Sequence, residues 1–453
     1  MDSVRWEIDA TPDRAVVVHG AEVRRHDTVL DLSHVSAVPG APLTNALLDL
    51  ADVAAAVYFA DRVCRRGNPL WSRHFSLRLR VRDLERWTQL HLREAVEDAL
   101  NYYTGDTWSL SFTAFTQSGE KCVQEDFFPD SRFSPTRVAL FSGGLDSFAG
   151  ACRELIAGTE RILLVSGSTA PRLRALQGRL SFELSQRFGG RVAPVVIKFG
   201  FTNRLRRADR WDETTQRTRG FVFSALGAIA AIANGVRELS IYENGIGAIN
   251  LPFTSGQHGV HLTRATNPLA LRKMEAVIEG LTDQPFRIRL PFLFETKGVL
   301  CTSITDAGLE HIVSYTVSCD GFPQRVQQYP QCGLCTSCLL RRLSLYAAGL
   351  AGWDPQNYRI DVLQDGWSAP FEKLFQFRAM LYQAELLKAA LRSTAPWRGL
   401  VRQFPNLFEI AALEGDGSAA FTGGRFIDLY RRYCLEWEQF PVRPGGYEAS
   451  LAA

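Results

Sequence analysis

The chain has 453 residues, 46% of them hydrophobic and 22% charged, the balance of a folded soluble protein with length for roughly two to four domains. Its net charge of +3 is too mild for a nucleic-acid binder or an acidic-membrane binder. The charged opening MDSVRWEIDATPDR carries no apolar signal region, and the longest apolar stretch, FVFSALGAIAAIA (221–233), is too short to span a bilayer; a cytoplasmic protein without membrane contact is expected.

In chain order, residues 1–134 mix alternating and helical patterns. RAVVVHG and SLRLRVRD alternate as strands do, whereas 44–65 and 84–105 have the spacing of amphipathic helices, the second closed by Gly105. The segment FFPDSRFSPTR (127–137) is rich in Pro, Ser and Asp and reads as a linker. The pattern then changes. RVALF, RILLVSGS (161–168), VAPVVIKFGF (192–201) and ELSIYENG (238–245) are strand candidates, with helical stretches between them. Such alternation predicts an α/β fold, a parallel sheet with helices on both faces, over residues 135–345. An α+β N-terminal domain (1–134) and a helical C-terminal region (346–453) flank it, the latter most periodic at 371–392.

FSGGLDSFAG (141–150) follows the first strand of that core. In α/β sheets ligands sit beyond the carboxyl ends of the strands, which is where this loop falls. Gly143 and Gly144 permit close backbone approach, and the helix starting near Leu145 directs its free N–H groups and positive dipole end at the loop. Ser142 and Ser147 add hydroxyls. Asp146 opposes an anion and calls for a cation, for which Mg²⁺ bridging to phosphate is suited. The loop lacks the Gly-Lys-Ser/Thr ending of a Walker motif and the glycine spacing of a dinucleotide fingerprint.

Nine cysteines are present. Cys64, Cys122, Cys152, Cys301 and Cys434 stand apart, as small buried hydrophobes would. Cys319, Cys332, Cys335 and Cys338 form a cluster, the last three separated by two residues each. That spacing lets four thiolates close around one tetrahedral Zn²⁺ and leave no open position, so a structural zinc is expected. A disulfide, a redox pair and an iron–sulfur centre are the alternatives; a reducing compartment disfavours the first, and nothing else in the chain suggests electron transfer.

The loop Ser142, Gly143, Gly144, Asp146 and Ser147 resembles the pyrophosphate-gripping loop of N-type ATP pyrophosphatases. Together with CGLCTSCLLRR (332–342) it resembles the QueC family, the 7-cyano-7-deazaguanine synthases, over roughly 137–345. Two further stretches fit: RGFVF (219–223), which keeps the family's arginine as Arg219 but has Gly220 for its asparagine, and LPFLFETKGVL (290–300), with Lys297 in the lysine position. The resemblance implies an adenine nucleotide α-hydrolase-like core that uses ATP and Mg²⁺ to adenylate the carboxylate of 7-carboxy-7-deazaguanine, with a bound Zn²⁺. Asp146, Lys297 and Arg219 would then be the catalytic residues, Lys297 stabilising charge on the α-phosphate and Arg219 pairing with a phosphate or the substrate carboxylate.

The chain departs from that family in its flanks and in the segment 242–268, where Glu243, Asn244, His258, His261 and Arg264 replace the family's Gly-x-Asn-x-x-Asp. Long proteins of this type resemble those of the Qat and type IV CBASS antiphage systems. That resemblance implies an amide-forming ligase whose amine acceptor is a protein N-terminus. A nitrile synthase using ammonia and a non-catalytic zinc-stabilised binding subunit are the other readings.

Overall fold

A computed structural model describes residues 4–11, 14–19, 22–32, 35, 43–66, 72–115, 133–201, 213, 215–253, 264–322, 331–354, 358–362, 371–414 and 419–441. Cys122, His258, His261 and the basic run 203–210 lie outside these.

The N-terminal region contributes β1 (Val4–Thr11), β2 (Arg14–His19), β3 (Glu22–Asp31), α1 (Asn45–Val63), β4 (Arg73–Val81), α2 (Leu84–Trp87), α3 (Leu90–Thr104) and β5 (Thr107–Ala114). The middle of the chain forms β6 (Arg137–Leu140), α4 (Leu145–Ala157), β7 (Ile162–Ser168), α5 (Pro171–Phe188), β8 (Val192–Phe201), α6 (Arg219–Ala233), β9 (Glu238–Ile241), α7 (Gly245–Ile249), α8 (Pro268–Thr282), β10 (Arg287–Arg289) and α9 (Lys297–Asp306). The rest is α10 (Thr336–Ala347), α11 (Phe371–Leu391), α12 (Pro396–Gln403), α13 (Asn406–Glu414) and α14 (Ala419–Gln439). The apolar run at 221–233 is the body of α6, and no described helix is long and apolar enough to cross a membrane.

All ten strands join in one sheet, ordered β10-β9-β6-β7-β8-β3-β2-β1-β4-β5. The five from β10 to β8 run parallel. The chain steps outward from β6 through β7 to β8, then returns to the other side of β6 for β9 and β10, so the strand order reverses at β6. Right-handed crossovers put the helices of the two halves on opposite faces. The buried side chains alternate accordingly. Ile162 and Leu164 pack into the layer containing α4, α5 and α9, whereas Leu163 and Val165 pack into the layer of α1, α3, α6 and α8. β7 is buried along its whole length, which is why it reads as a continuous apolar run with no polar alternation.

The N-terminal region is not separated from this sheet. β3 pairs antiparallel with β8, and α1 and α3 share one apolar layer with α6 and α8. At the far end of that region Arg73 is fully buried between two carboxylates, with its Nη2 2.5 Å from Asp61 Oδ1 and 2.8 Å from Asp106 Oδ2. The C-terminal helices pack through Leu343, Phe377, Leu400, Leu429, Tyr430 and Tyr433 into a third apolar layer, which also takes Ile249 and Leu293.

Candidate functional site

In parallel α/β sheets a strand reversal opens a crevice beyond the carboxyl ends of the strands; here the reversal is at β6, and the glycine loop follows the carboxyl end of that strand. β6 ends at Leu140 and α4 begins at Leu145, so the turn is made by only four residues. Gly143 has φ +80°, a conformation that a side chain would strain. Gly144 starts α4 with no side-chain cap, which leaves the first-turn N–H groups aimed at the crevice. The serines tie the loop to the helix: Ser142 Oγ accepts from Gly144 N at 3.2 Å and lies 3.2 Å from Ser147 Oγ, which donates to the Gly144 carbonyl at 3.0 Å. From behind, Gln177 Nε2 donates to the carbonyls of Ser142 (3.4 Å) and Gly167 (3.3 Å), pinning the loop to the end of β7.

Asp146 is the hub. Its Oδ2 accepts from Lys297 Nζ at 2.5 Å and its Oδ1 from Asn244 Nδ2 at 2.8 Å. Asn244 stands just past β9 and also reaches Glu243 Oε1 at 2.9 Å, while its own Oδ1 caps α7. Lys297 opens α9, whose helix packs along α4 and donates Ser303 Oγ to the Ala149 carbonyl at 2.8 Å. Lys297 and Asp146 therefore stand at the first turns of two neighbouring helices. Burial works against the lysine charge, but Asp146 and Glu243 outweigh it and hold the Lys297 pKa above its ordinary value. Burial, reinforced by Asp146, pushes Glu243 up to about 8, so it carries a proton near neutral pH.

Arg219 opens α6. Its guanidinium lies 5.1 Å from the ring centroid of Phe223, and no described carboxylate forms an ion pair with it. Burial lowers its pKa, and Asp320, the residue after Cys319, is near enough to favour its charge. Arg264 does not enter the site: it donates to the Tyr102 carbonyl at 2.8 Å and lies over the Tyr102 ring.

The four clustered cysteines meet. Their sulfurs all lie within 4.8 Å of one another, with Cys332 to Cys338 at 3.9 Å and Cys335 to Cys319 at 4.0 Å. Thiolates about 2.3 Å from a tetrahedral Zn²⁺ would stand somewhat under 4 Å apart, so the donor set fits the ion. The backbone supports it. The N–H groups of Leu334 and Cys335 donate to Cys332 Sγ at 3.4 and 3.2 Å, as they would to a thiolate. Gly333 makes the knuckle with φ +78°, and a Cβ there would overlap the Ile360 carbonyl oxygen. The other described cysteines, Cys64, Cys152, Cys301 and Cys434, are buried and unbridged.

The cluster is wired to the loop. Arg341, fully buried, donates to Thr316 Oγ1 at 2.7 Å and to the Val313 carbonyl at 2.8 Å, and pairs with Asp354 at 3.0 Å. It thereby holds the segment leading to Cys319, and the Val317 carbonyl lies 3.5 Å from where a Cβ on Gly144 would stand. The structure thus brings together Ser142, Gly143, Gly144, Asp146, Ser147 and Lys297, and gathers Cys319, Cys332, Cys335 and Cys338 into one cluster beside them. Arg219, at the start of α6, makes no contact with Asp146 among the described residues. The part of Gln177 is carried by no sequence motif. Asn244 lies in a segment legible as polar, but nothing local pairs it with Asp146.

No family model matches the chain. A stretch of 122 residues is 34% identical to the 7-cyano-7-deazaguanine synthase of Methylobacillus flagellatus, covering 27% of this chain and 47% of that protein. The chain thus spans about half the length of the curated relative it matches.

Proposed function

We propose that the chain is an ATP-dependent ligase that adenylates the carboxylate of 7-carboxy-7-deazaguanine and passes the acyl group to an amine. The observation that carries this reading is the glycine loop at the strand reversal, with Lys297 on Asp146. The similarity to a deazaguanine synthase supports the substrate class.

In this reading Ser142, Gly143, Gly144 and Ser147 hold the pyrophosphate half of ATP through backbone N–H groups and hydroxyls. Asp146 would hold Mg²⁺, whose contribution is to neutralise the phosphate oxygens. A carboxylate oxygen of the substrate attacks the α-phosphorus, the bond from that phosphorus to the bridging oxygen breaks, and pyrophosphate leaves with the electron pair. Lys297 stabilises the charge that develops there, and Arg219 binds the substrate carboxylate. The amine nitrogen then attacks the acyl carbon, AMP departs, and the nitrogen loses a proton. The cysteine cluster, closed by four thiolates, has a structural role.

The acceptor is proposed to be a protein α-amine. The curated relative's name favours a second outcome, a nitrile as product; ammonia would then be the acceptor. One assay tests all readings. Zinc-loaded chain is incubated with ATP, Mg²⁺ and the carboxylate, with either ammonia or a peptide amine, and AMP and acylated products are measured. The ligase reading expects AMP only when the carboxylate is present, and a peptide amide when the peptide is the acceptor. Absence of AMP under every condition overturns the enzymatic reading in favour of a binding subunit.

A further inference from the structure

We infer that Glu436, on the last helix, is a positioning residue for Lys297. Glu436 Oε1 accepts a hydrogen bond from Thr296 Oγ1. Thr296 is the residue immediately before Lys297 and the cap of α9, and its Oγ1 also accepts from Val299 N at 3.3 Å. One hydroxyl therefore joins two elements: it closes the first turn of the helix that begins with Lys297, and it ties that turn to α14.

Three observations favour a dedicated contact over ordinary packing. Gly298 makes room for it, because a Cβ there would lie 2.5 Å from Glu436 Oε1. Glu436 is 7% exposed and its Oε2 is buried with no hydrogen-bond partner among the described residues, a cost that an apolar side chain would avoid. A carboxyl group at the start of α9 also suits the positive end of the helix dipole.

The same device recurs on the opposite side. Asp61 Oδ2, on α1, accepts from Thr218 N at 3.1 Å and Thr218 Oγ1 at 2.9 Å. Thr218 is the residue immediately before Arg219, which opens α6. Each flanking region thus sends one buried carboxyl group to the threonine that precedes a basic residue of the candidate site. The flanks of the core are, on this inference, its braces.

The inference rests on Lys297 being part of the proposed site, and its test reads Lys297 without requiring turnover. The full-length chain is reductively methylated with isotopic formaldehyde, and labelling of Lys297 is measured by peptide mass spectrometry relative to Lys198 and Lys273. Asp146→Ala serves as the control that frees Lys297. Thr296→Val keeps the shape and removes both hydrogen bonds; it should raise relative Lys297 labelling at least fivefold at unchanged far-ultraviolet circular dichroism. Thr296→Ser and Glu436→Gln, which keep the donor or the acceptor, should stay within twofold of wild type. Wild-type labelling in Thr296→Val overturns the inference, whatever the AMP assay shows. Increased labelling in that variant, together with no AMP from wild type, keeps the positioning role and rejects the proposed reaction.

Discussion

Lys297 Nζ lies 2.5 Å from Asp146 Oδ2 although 151 residues separate them in the chain. The pair joins the first turns of α9 and α4, two helices that pack side by side in one apolar layer. Both side chains are largely buried, at 5% and 14% exposure, so neither charge is comfortable without the other. The same ammonium group that balances Asp146 is therefore held at the mouth of a loop whose backbone N–H groups suit phosphate.

Asp146→Ala should reduce carboxylate-dependent AMP release by roughly a hundredfold or more, the scale of losing a preorganised electrostatic group. The fold should persist, because removing Asp146 also removes a cause of the raised Glu243 pKa and lets Glu243 ionise beside Lys297. Steady-state AMP release with circular dichroism checks this. A variant that turns over normally would remove Asp146 from the mechanism.

Cys335→Ala opens one corner of the cysteine cluster. The variant should bind less than one zinc per chain, and its melting temperature should fall and cease to respond to chelator. Wild type should lose stability when chelator is added. Zinc content and thermal melts, with and without chelator, measure both. Unchanged melting in wild type after metal removal would contradict a structural site.

Gly333→Ala tests the knuckle without touching a thiol. The residue sits at φ +78° and its new Cβ would meet the Ile360 carbonyl, so a loss of about 1–3 kcal/mol is expected with weakened zinc retention. Urea unfolding of the zinc-loaded protein reads the cost; a neutral substitution would show that the knuckle is looser than described.

Glu436 carries a pH signature. Burial raises its pKa from 4.5 to about 7, with Thr296 opposing the shift. Below pH 4.5 the group is protonated in both folded and unfolded chains. Between 4.5 and 7 the unfolded chain gives up the proton first, so this group's share of stability falls as pH rises, and above 7 the whole penalty, roughly 3 kcal/mol, is present. Glu436→Gln keeps an acceptor for Thr296 and cannot ionise. It should raise stability at pH 8 relative to wild type and change it little near pH 4.5; an equal change at both pH values would refute the assignment.

Arg73→Met leaves Asp61 buried without its cation, while Asp106 keeps the Arg66 guanidinium at 2.6 Å. The expected loss is about 3–5 kcal/mol, the cost of breaking a buried pair from one side. Because Asp61 also holds Thr218, Arg219 should loosen as well. Denaturant unfolding gives the first effect and arginine-specific phenylglyoxal labelling the second.

The elements with strong periodicity were readable before folding. The span 192–201 is β8 as anticipated, 44–65 contains α1, and α4 starts at Leu145 where the glycine loop placed it. The helix anticipated over 84–105 instead breaks at Thr88–Gln89 into α2 and α3. The three-residue β10 and five-residue α7 are too short to leave a period. The four cysteines were legible as a set because two-residue gaps are a local constraint, and they do converge.

The features legible from spacing alone are local: a glycine turn between an apolar strand and a helix, a cysteine knuckle, and the alternation that builds a parallel sheet. Each depends on neighbours within a few residues, so composition and spacing suffice. Tertiary structure decided which distant groups face one another. It placed Lys297 and Asn244 on Asp146, ran the N-terminal strands into the same sheet through β3 and β8, and brought Asp61 and Glu436 to the starts of α6 and α9. No spacing rule reaches across 140 residues from Thr296 to Glu436; only the packing of α14 against the core brings that carboxyl group to the threonine that caps α9.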